Sequence, residues 1–247
     1  MKCSMFHVKH LDHSLGLTPA SVIRAISSVG VAVSPRQAEL LISHAELVVE
    51  VNARINLTRL TEPEDVLWLH IVDSLAFLPM LAPLSGRVVD IGSGAGYPGV
   101  PLAILGSTVT LCESVKKKAL FLEDVVSELA LSASVKPLRA EELADQEPAA
   151  ADFVVARAVS ATASLVELAA PLLRIGGRLI ALKGVPTADE LGAGAAAADS
   201  CGMVPLKHSE YALPGGEQRT VLVYEKVKSP SVHLPRRPGA AQRQPLG

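Results

Sequence analysis

The run Asp90-Ile91-Gly92-Ser93-Gly94-Ala95-Gly96 constrains this chain more than any other stretch. Val88 and Val89 lead into a carboxylate, and three glycines follow at alternate positions. Glycine at every second position removes side chains from a turn and permits positive φ, so the backbone can lie directly against a ligand. The pattern is that of a strand ending in a loop that takes a flat, nucleotide-like molecule.

Two cofactor classes use such a loop. Gly94-Ala95-Gly96-Tyr97-Pro98-Gly99 also fits the dinucleotide fingerprint G-x-G-x-x-G. Charge separates the readings. A dinucleotide presents an anionic pyrophosphate, whereas S-adenosylmethionine (SAM) has no phosphate and carries an ammonium and a sulfonium. Asp90 at the strand tip would repel the first and attract the second. Glu113 follows the apolar stretch Thr108–Cys112, where an acid can accept both ribose hydroxyls of either cofactor. The residues favour SAM, with a dinucleotide site and a purely structural turn as the alternatives.

The chain has 247 residues, enough for one α/β domain and a smaller appendage. It is 49% hydrophobic, yet no run reaches the ~18 apolar residues of a membrane span. Met1 to His13 has no sustained apolar core and does not read as a secretory signal. Cys3, Cys112 and Cys201 are widely spaced, which fits reduced thiols, a cytoplasmic location and no metal site. A net charge of −2 argues against binding free nucleic acid by overall field, but local patches remain in Lys116-Lys117-Lys118 and in the acid-free, basic last 22 residues. Aromatics make up 3%, too few for a base-stacking platform.

Ser34-Pro35-Arg36-Gln37 predicts a capped helix start, followed by Leu40, Leu41, Leu47, Val48, Val51 and Ile55 at helical spacing. Thr61-Glu62-Pro63-Glu64 repeats the signal ahead of Val66 to Met80. Residues 1–85 are therefore expected to be a helical region. From Arg87 strands alternate with helices, which predicts a parallel sheet covered on both faces. Further strands are expected at 109–112, 135–138, 153–157, 177–183, 203–208 and 220–226. A helix with the face Val115, Ala119, Leu122, Val126 and Leu129 should lie between the first two of these. An alanine-rich helix is expected over 191–199. Only 209–219 separates the last two strands, so they should pair antiparallel. The expected fold is an α/β, Rossmann-like SAM-dependent methyltransferase sheet of seven strands with the last antiparallel, over residues 86–227. Residues 228–247, with four prolines after Ser229 and no hydrophobic period, read as a disordered basic tail.

With these pieces placed, the chain resembles the glucose-inhibited division protein B family of small-subunit ribosomal RNA guanine-N7 methyltransferases. The segments that carry the resemblance are Asn56-Leu57-Thr58, His70-Ile71-Val72-Asp73-Ser74, Val89 to Leu102, Leu138-Arg139-Ala140-Glu141-Glu142, Val155-Ala156-Arg157-Ala158, Ala181-Leu182-Lys183-Gly184 and Gly216-Glu217-Gln218-Arg219. The glycine loop extended by Pro98-Gly99 and Pro101 is the part specific to that family. Met5 resembles a frequent family start, Glu113 stands where the family often has Asp, and no family motif covers the tail.

The resemblance implies SAM as cofactor, with Gly92 and Tyr97 lining its loop and Ala140 and Glu141 flanking the adenine, beside Asp90, Gly94, Gly96 and Glu113 from the reading of the loop itself. It also implies that Arg157 faces both cofactor and reacting centre, and because Asp90, Glu113, Arg157 and Lys183 all fall at the carboxyl ends of expected strands, where open α/β sheets bind ligands, Lys183 is a second catalytic candidate. Lys116, Lys117, Lys118 and Arg219 are the RNA-contact candidates. The implied partner is 16S rRNA, naked or within the 30S subunit or its precursors, with no membrane or protein partner indicated. Each residue also has a bland reading. Asp90 could serve a helix dipole, Glu113 and the lysines could be solvated, Arg157 could be a structural ion pair, Lys183 could be scaffold, and His70 reads first as a packing histidine.

The chemistry agrees by omission. Guanine N7 has an in-plane lone pair and needs no general base, so orientation and electrostatics suffice. No Asp/Asn-Pro-Pro-Tyr follows the expected fourth strand, where amine methyltransferases carry it, and no cysteine is placed to attack a pyrimidine. A small-molecule methyltransferase and a non-catalytic ribosome-assembly factor are the competing readings.

Overall fold

The computed structural model describes residues 15–247 apart from Ala82, Ala158 and Lys207. Cys3, Met5 and the remainder of the Met1 to His13 start lie outside the described residues. In chain order the elements are α1 (Pro19–Ser27), α2 (Pro35–Ile55), α3 (Pro63–Asp65), a π-helical stretch (Val66–Val72) and a 3₁₀ turn (Leu78–Met80). Then come β1 (Arg87–Ile91), α4 (Gly99–Ile104), β2 (Thr108–Cys112), α5 (Lys116–Glu128), β3 (Ala133–Lys136), α6 (Ala140–Gln146) and β4 (Ala151–Arg157). The chain closes with α7 (Thr162–Ala169), β5 (Leu173–Lys183), α8 (Ala188–Ser200), β6 (Met203–Pro205), β7 (Ser209–Ala212), β8 (Gln218–Lys226) and α9 (Ala240–Arg243). The fold is α/β, in two compact units. One holds the described residues up to Pro83 together with Ser93–Pro137, and the other holds Leu84–Gly92 with Leu138–Gly247.

In the first unit, α2 begins as its sequence predicts. The Ser34 hydroxyl accepts from the Gln37 N–H, and the Gln37 amide oxygen accepts from the Ser34 N–H at 2.8 Å. The helix buries Leu41, His44, Ala45, Leu47, Val48, Val51 and Ile55, and Leu40 is only half-buried. Thr61 does not cap the next helix. Glu62 holds the N-cap position with no side-chain bond, and α3 passes into the π-helical stretch after one turn. Strands β2 and β3 pair in parallel, with Leu111 beside Val135. Between them α5 buries Ala119, Phe121, Leu122 and Val125. The expected face is corrected at its start: Val115 has extended backbone (φ −80°, ψ 104°) and precedes the first helical residue, so it leaves the stripe and is exposed. Val126 is half-buried, and Val125 takes its place.

The second unit carries the strand order β1-β4-β5-β8-β6, with β7 also on β8. β4 is parallel to β1 and β5, while β5, β6 and β7 are each antiparallel to β8. Strand β8 is thus the one reversed strand of this unit, and the expected antiparallel end holds. The described residues contain eight strands where seven were expected. The strand at 203–208 ends at Pro205, with one further bond from the Leu206 N–H to Val223 O at 2.7 Å, and a separate short strand forms at Ser209–Ala212.

The expected disordered tail is also corrected. Its fork-shaped guanidinium Arg236 donates from Nε and Nη2 to the two carboxylate oxygens of Glu167 on α7, at 2.6 and 2.7 Å. The Leu246 N–H reaches the same carboxylate at 3.2 Å. The Gly239 N–H donates to Glu141 Oε1 at 2.7 Å, and Ala241 is buried. A buried acid in the apolar helix α7 recruits the tail, which composition alone did not show.

Candidate functional site

In the first unit the glycine loop is held from two sides. Glu113, just past the end of β2, is buried, and its Oε2 accepts the Gly94 N–H at 2.9 Å while Oε1 accepts the Val115 N–H at 2.7 Å. One carboxylate therefore ties the loop to the start of α5. Each of its oxygens keeps a second acceptor direction for a hydroxyl. The Ser93 N–H donates to Cys112 O, and the Gly96 N–H turns back to Ser93 O at 2.7 Å. Gly96 has φ +98°, and a Cβ there would lie 2.7 Å from Val100 Cγ2 and 3.0 Å from His44 Nε2, so only glycine fits.

His44, on α2, holds the other side. Its Nε2 lies 2.9 Å from Ala95 O, and because a carbonyl can only accept, the ring carries its proton on Nε2. The residue is fully buried, and that burial pulls its pKa down to about 4 against the opposing bond to Ala95, so the imidazole is neutral at physiological pH. Tyr97 is sandwiched between two histidines. The His44 ring is tilted at 42° with its centroid 4.5 Å away, and the His70 ring is stacked at 4°, also at 4.5 Å. His70 Nε2 is in turn 2.8 Å from Thr58 Oγ1, and the Leu57 and Thr58 N–H groups both donate to Asn52 Oδ1. The Asn56-Leu57-Thr58 segment, the His70 segment and Tyr97 thus form one chain of contacts. His70 is the packing histidine of its bland reading, but the group it packs on is the loop tyrosine. Among the candidates in this unit, the structure brings Gly94, Gly96, Tyr97 and Glu113 together and starts α5 with Lys116, Lys117 and Lys118. Lys116 and Lys117 are exposed and Lys118 is half-buried. Cations at a helix N-terminus face the positive end of its dipole, an arrangement that helix stability does not explain.

In the second unit Asp90 is 1% exposed near the carboxyl end of β1, in register with Val155 of β4. Gly92 has φ +69°, and a Cβ there would meet Val159 Cγ2 at 2.9 Å. Arg157 ends β4, half-buried, beside Leu182 of β5. Because β8 runs in reverse, Thr220 pairs with Lys183, so Arg219 lies at the same edge as Arg157 and Lys183. Ala140 opens α6, followed by the buried Glu141. Lys183, expected at the reacting centre, has its ammonium 2.7 Å from Glu190 Oε1 and 2.9 Å from Ser160 O. Burial alone would push the Glu190 carboxyl up, but the Lys183 ammonium and two donors from Thr162 outweigh it and hold its pKa below the usual value. This arrangement makes Lys183 a fastener for the segment after β4.

Sequence reasoning did not single out His44, Glu167, Glu190 or Arg236. An acid inside the apolar run of α7 and an arginine in an acid-free tail were the available signals for one pair. His44 had none, since histidine at helical spacing among leucines looks like any other core position. Among the described residues no group of three or more His, Cys, Asp or Glu side chains could hold a metal ion, and no helix is long and apolar enough to cross a membrane.

Residues 37–220 match the model of the GidB family, described as rRNA small subunit methyltransferase G. A ribosomal RNA small subunit methyltransferase G from Carboxydothermus hydrogenoformans is 38% identical over 223 residues, covering 88% of this chain and 95% of the relative. A protein of that name from Deinococcus radiodurans is 39% identical over 242 residues, covering 93% and 94%. Among solved structures, a SAM-dependent methyltransferase from Methanosarcina mazei superposes with a TM-score of 0.50 at 14% identity, covering 61% of this chain and 97% of that one. A structure concerned with echinomycin biosynthesis gives 0.52 at 16% identity, covering 62% and 81%. These two likenesses concern the fold.

Proposed function

The chain belongs to the GidB family of small-subunit rRNA methyltransferases G, and from that premise we propose that it transfers a methyl group from SAM to guanine N7 of 16S rRNA, in the cytoplasm. The observation that carries the cofactor assignment is the loop itself. A Cβ at Gly92 or Gly96 would collide with its neighbours, Gly94 is pinned by Glu113, and the acids nearby suit a cationic ligand rather than a pyrophosphate. The residues present therefore fit SAM. Bound there, SAM supplies an electrophilic methyl on its sulfonium.

Asp90 attracts the cofactor's positive end, Glu113 accepts from its ribose hydroxyls, and Ala140 and Glu141 flank its adenine. Arg157 orients the cofactor or the guanine by its planar fork of donors. Because N7 reacts through an existing lone pair, these residues need only align and shield it, and none has to remove a proton. Lys183 is a positioning residue that keeps Ser160 and Glu190 in place behind the reacting edge. Lys116, Lys117 and Lys118, with Arg219, meet RNA phosphates.

The test is methylation of naked 16S rRNA, 30S subunits and 30S precursors with labelled SAM, followed by mapping of the modified base. The expected product is N7-methylguanine, with a chemical step that shows no side-chain titration between roughly pH 6.5 and 9 at saturating substrates. A single-ionisation rise in that window, or a methylated amine or hydroxyl, would replace this reading.

A further inference from the structure

We infer that His44 is a positioning residue for the cofactor loop, acting through Ala95 and Tyr97 from a helix that carries none of the loop's own sequence. Three independent observations converge on it. Its Nε2–H is 2.9 Å from Ala95 O, the carbonyl between Gly94 and Gly96. Its ring lies against Tyr97, whose other face is covered by His70. And the space that a Cβ on Gly96 would need is bounded in part by the same Nε2, at 3.0 Å. One ring thus touches or bounds three consecutive loop residues, Ala95, Gly96 and Tyr97.

The geometry has a mechanical meaning. A loop rich in glycine has many backbone conformations to lose, and a cofactor that binds it must order it unless the protein has already done so. Glu113 fixes Gly94, but it makes no bond to the stretch that follows. His44 supplies the second fixed point, and it does so with a neutral donor. A lysine or arginine at this depth would bring an unpaired charge beside a loop meant for a cationic ligand. Its Nδ1 is buried and makes no hydrogen bond, so what the residue offers the loop is the one bond from Nε2 and its ring. Had bulk alone been needed, phenylalanine would fill the space without leaving a polar atom unsatisfied.

This inference rests on the loop being the SAM loop, and the experiment separates the two. SAM affinity is measured by calorimetry for wild type, His44→Phe and His44→Gln, together with amide exchange across Gly94–Val100 in the absence of any cofactor. His44→Phe keeps the ring but not the donor. It should raise the Kd for SAM about tenfold or more, shift KM for SAM rather than kcat, and speed exchange in the loop. His44→Gln, whose amide N–H can reach the Ala95 carbonyl, should return the Kd to within about threefold of wild type. If His44→Phe does not fold, His44→Asn replaces it, since asparagine is too short to reach and should bind as weakly as expected for Phe. Equal SAM affinity and equal loop exchange in all variants would overturn the inference, as would failure of Gln to rescue. A wild-type protein that ignores SAM would overturn the cofactor reading instead, and the exchange data would still report whether His44 holds the loop.

Discussion

Replacing Arg236 with methionine isolates what the C-terminal segment does for the second unit. Glu167 is 2% exposed, and the partners it has in the structure are Arg236 Nε and Nη2 at 2.6 and 2.7 Å and the Leu246 N–H at 3.2 Å, all from the last twelve residues. Removing the guanidinium leaves a buried carboxylate with one neutral donor, and breaking a buried pair from one side costs about 3–5 kcal/mol. Arg236 is itself 29% exposed, so the lower end, about 3 kcal/mol, is the expected loss. Removing both charges as Glu167→Leu/Arg236→Met should return stability to within about 1 kcal/mol of wild type, because two apolar side chains of similar volume can replace an ion pair. The coupling read from the four-membered cycle should therefore be about 2 kcal/mol or more. Urea unfolding followed by circular dichroism at pH 7.5 gives all four values. If Arg236→Met costs under about 0.5 kcal/mol, or the double variant is no better than the single, the segment is a loosely attached tail and the pairing does not hold it.

Other outcomes follow from the loop and the reacting edge. The folded pKa of His44, about 4, lies below the ~6.5 of an unfolded histidine, so stability present above pH 6.5 is lost as pH falls toward 4, roughly 2 kcal/mol of it by pH 5. Emission from Trp68, the single tryptophan and part of the same unit, should show that loss during urea unfolding, and His44→Gln should not share it. Gly96→Ala should cost about 2–4 kcal/mol, from a side chain at φ +98° and from contact with Val100 and His44, and a variant as stable as wild type would mean that the loop relaxes freely. Arg157→Ala should fold normally and lose on the order of a hundredfold in single-turnover methylation, with Arg157→Lys recovering only part, and an unchanged rate would make it a structural residue. Alanine at Lys116, Lys117 and Lys118 together should weaken RNA binding and flatten its salt dependence without changing SAM affinity, and an unchanged salt slope would make them a solvated helix face.

Where the sequence was informative, a local interaction decided the structure. Ser34 and Gln37 cap α2 because both partners are three residues apart, and the strand at 108–112 follows from its own apolar run. The glycine loop was legible because positive φ demands glycine at Gly92, Gly94 and Gly96 wherever the ligand lies. What escaped was set by distant partners. Glu167 and Arg236 are 69 residues apart, and neither reveals the other until the chain is folded. Composition called the tail disordered because it counts apolar residues and cannot see one buried acid waiting for a guanidinium. Thr61 shows the reverse case, a capping pattern one residue out of step, because Pro63 is the first helical residue and Glu62 takes the N-cap position. The lysine at the end of β5 was placed at the right edge, but its acid, Glu190, comes from the following helix, and sequence spacing gave no hint of the pair.

The interleaving of the two units sets an order of events during synthesis. Everything in the first unit has been made once Pro137 emerges, whereas β1, made earlier, belongs to the second. The Arg87 backbone N–H finds its acceptor at Asp152, 65 residues downstream, and β6 and β7 cannot pair until β8 arrives. A ribosome making this chain therefore leaves the edge of β1 that pairs with β4 open until residues 151–157 have been made. Such a strand is open to wrong partners for as long as translation takes to reach β4. Slow codons before Ala151 should lower the soluble yield more than slow codons after Lys226, even though the finished protein is identical.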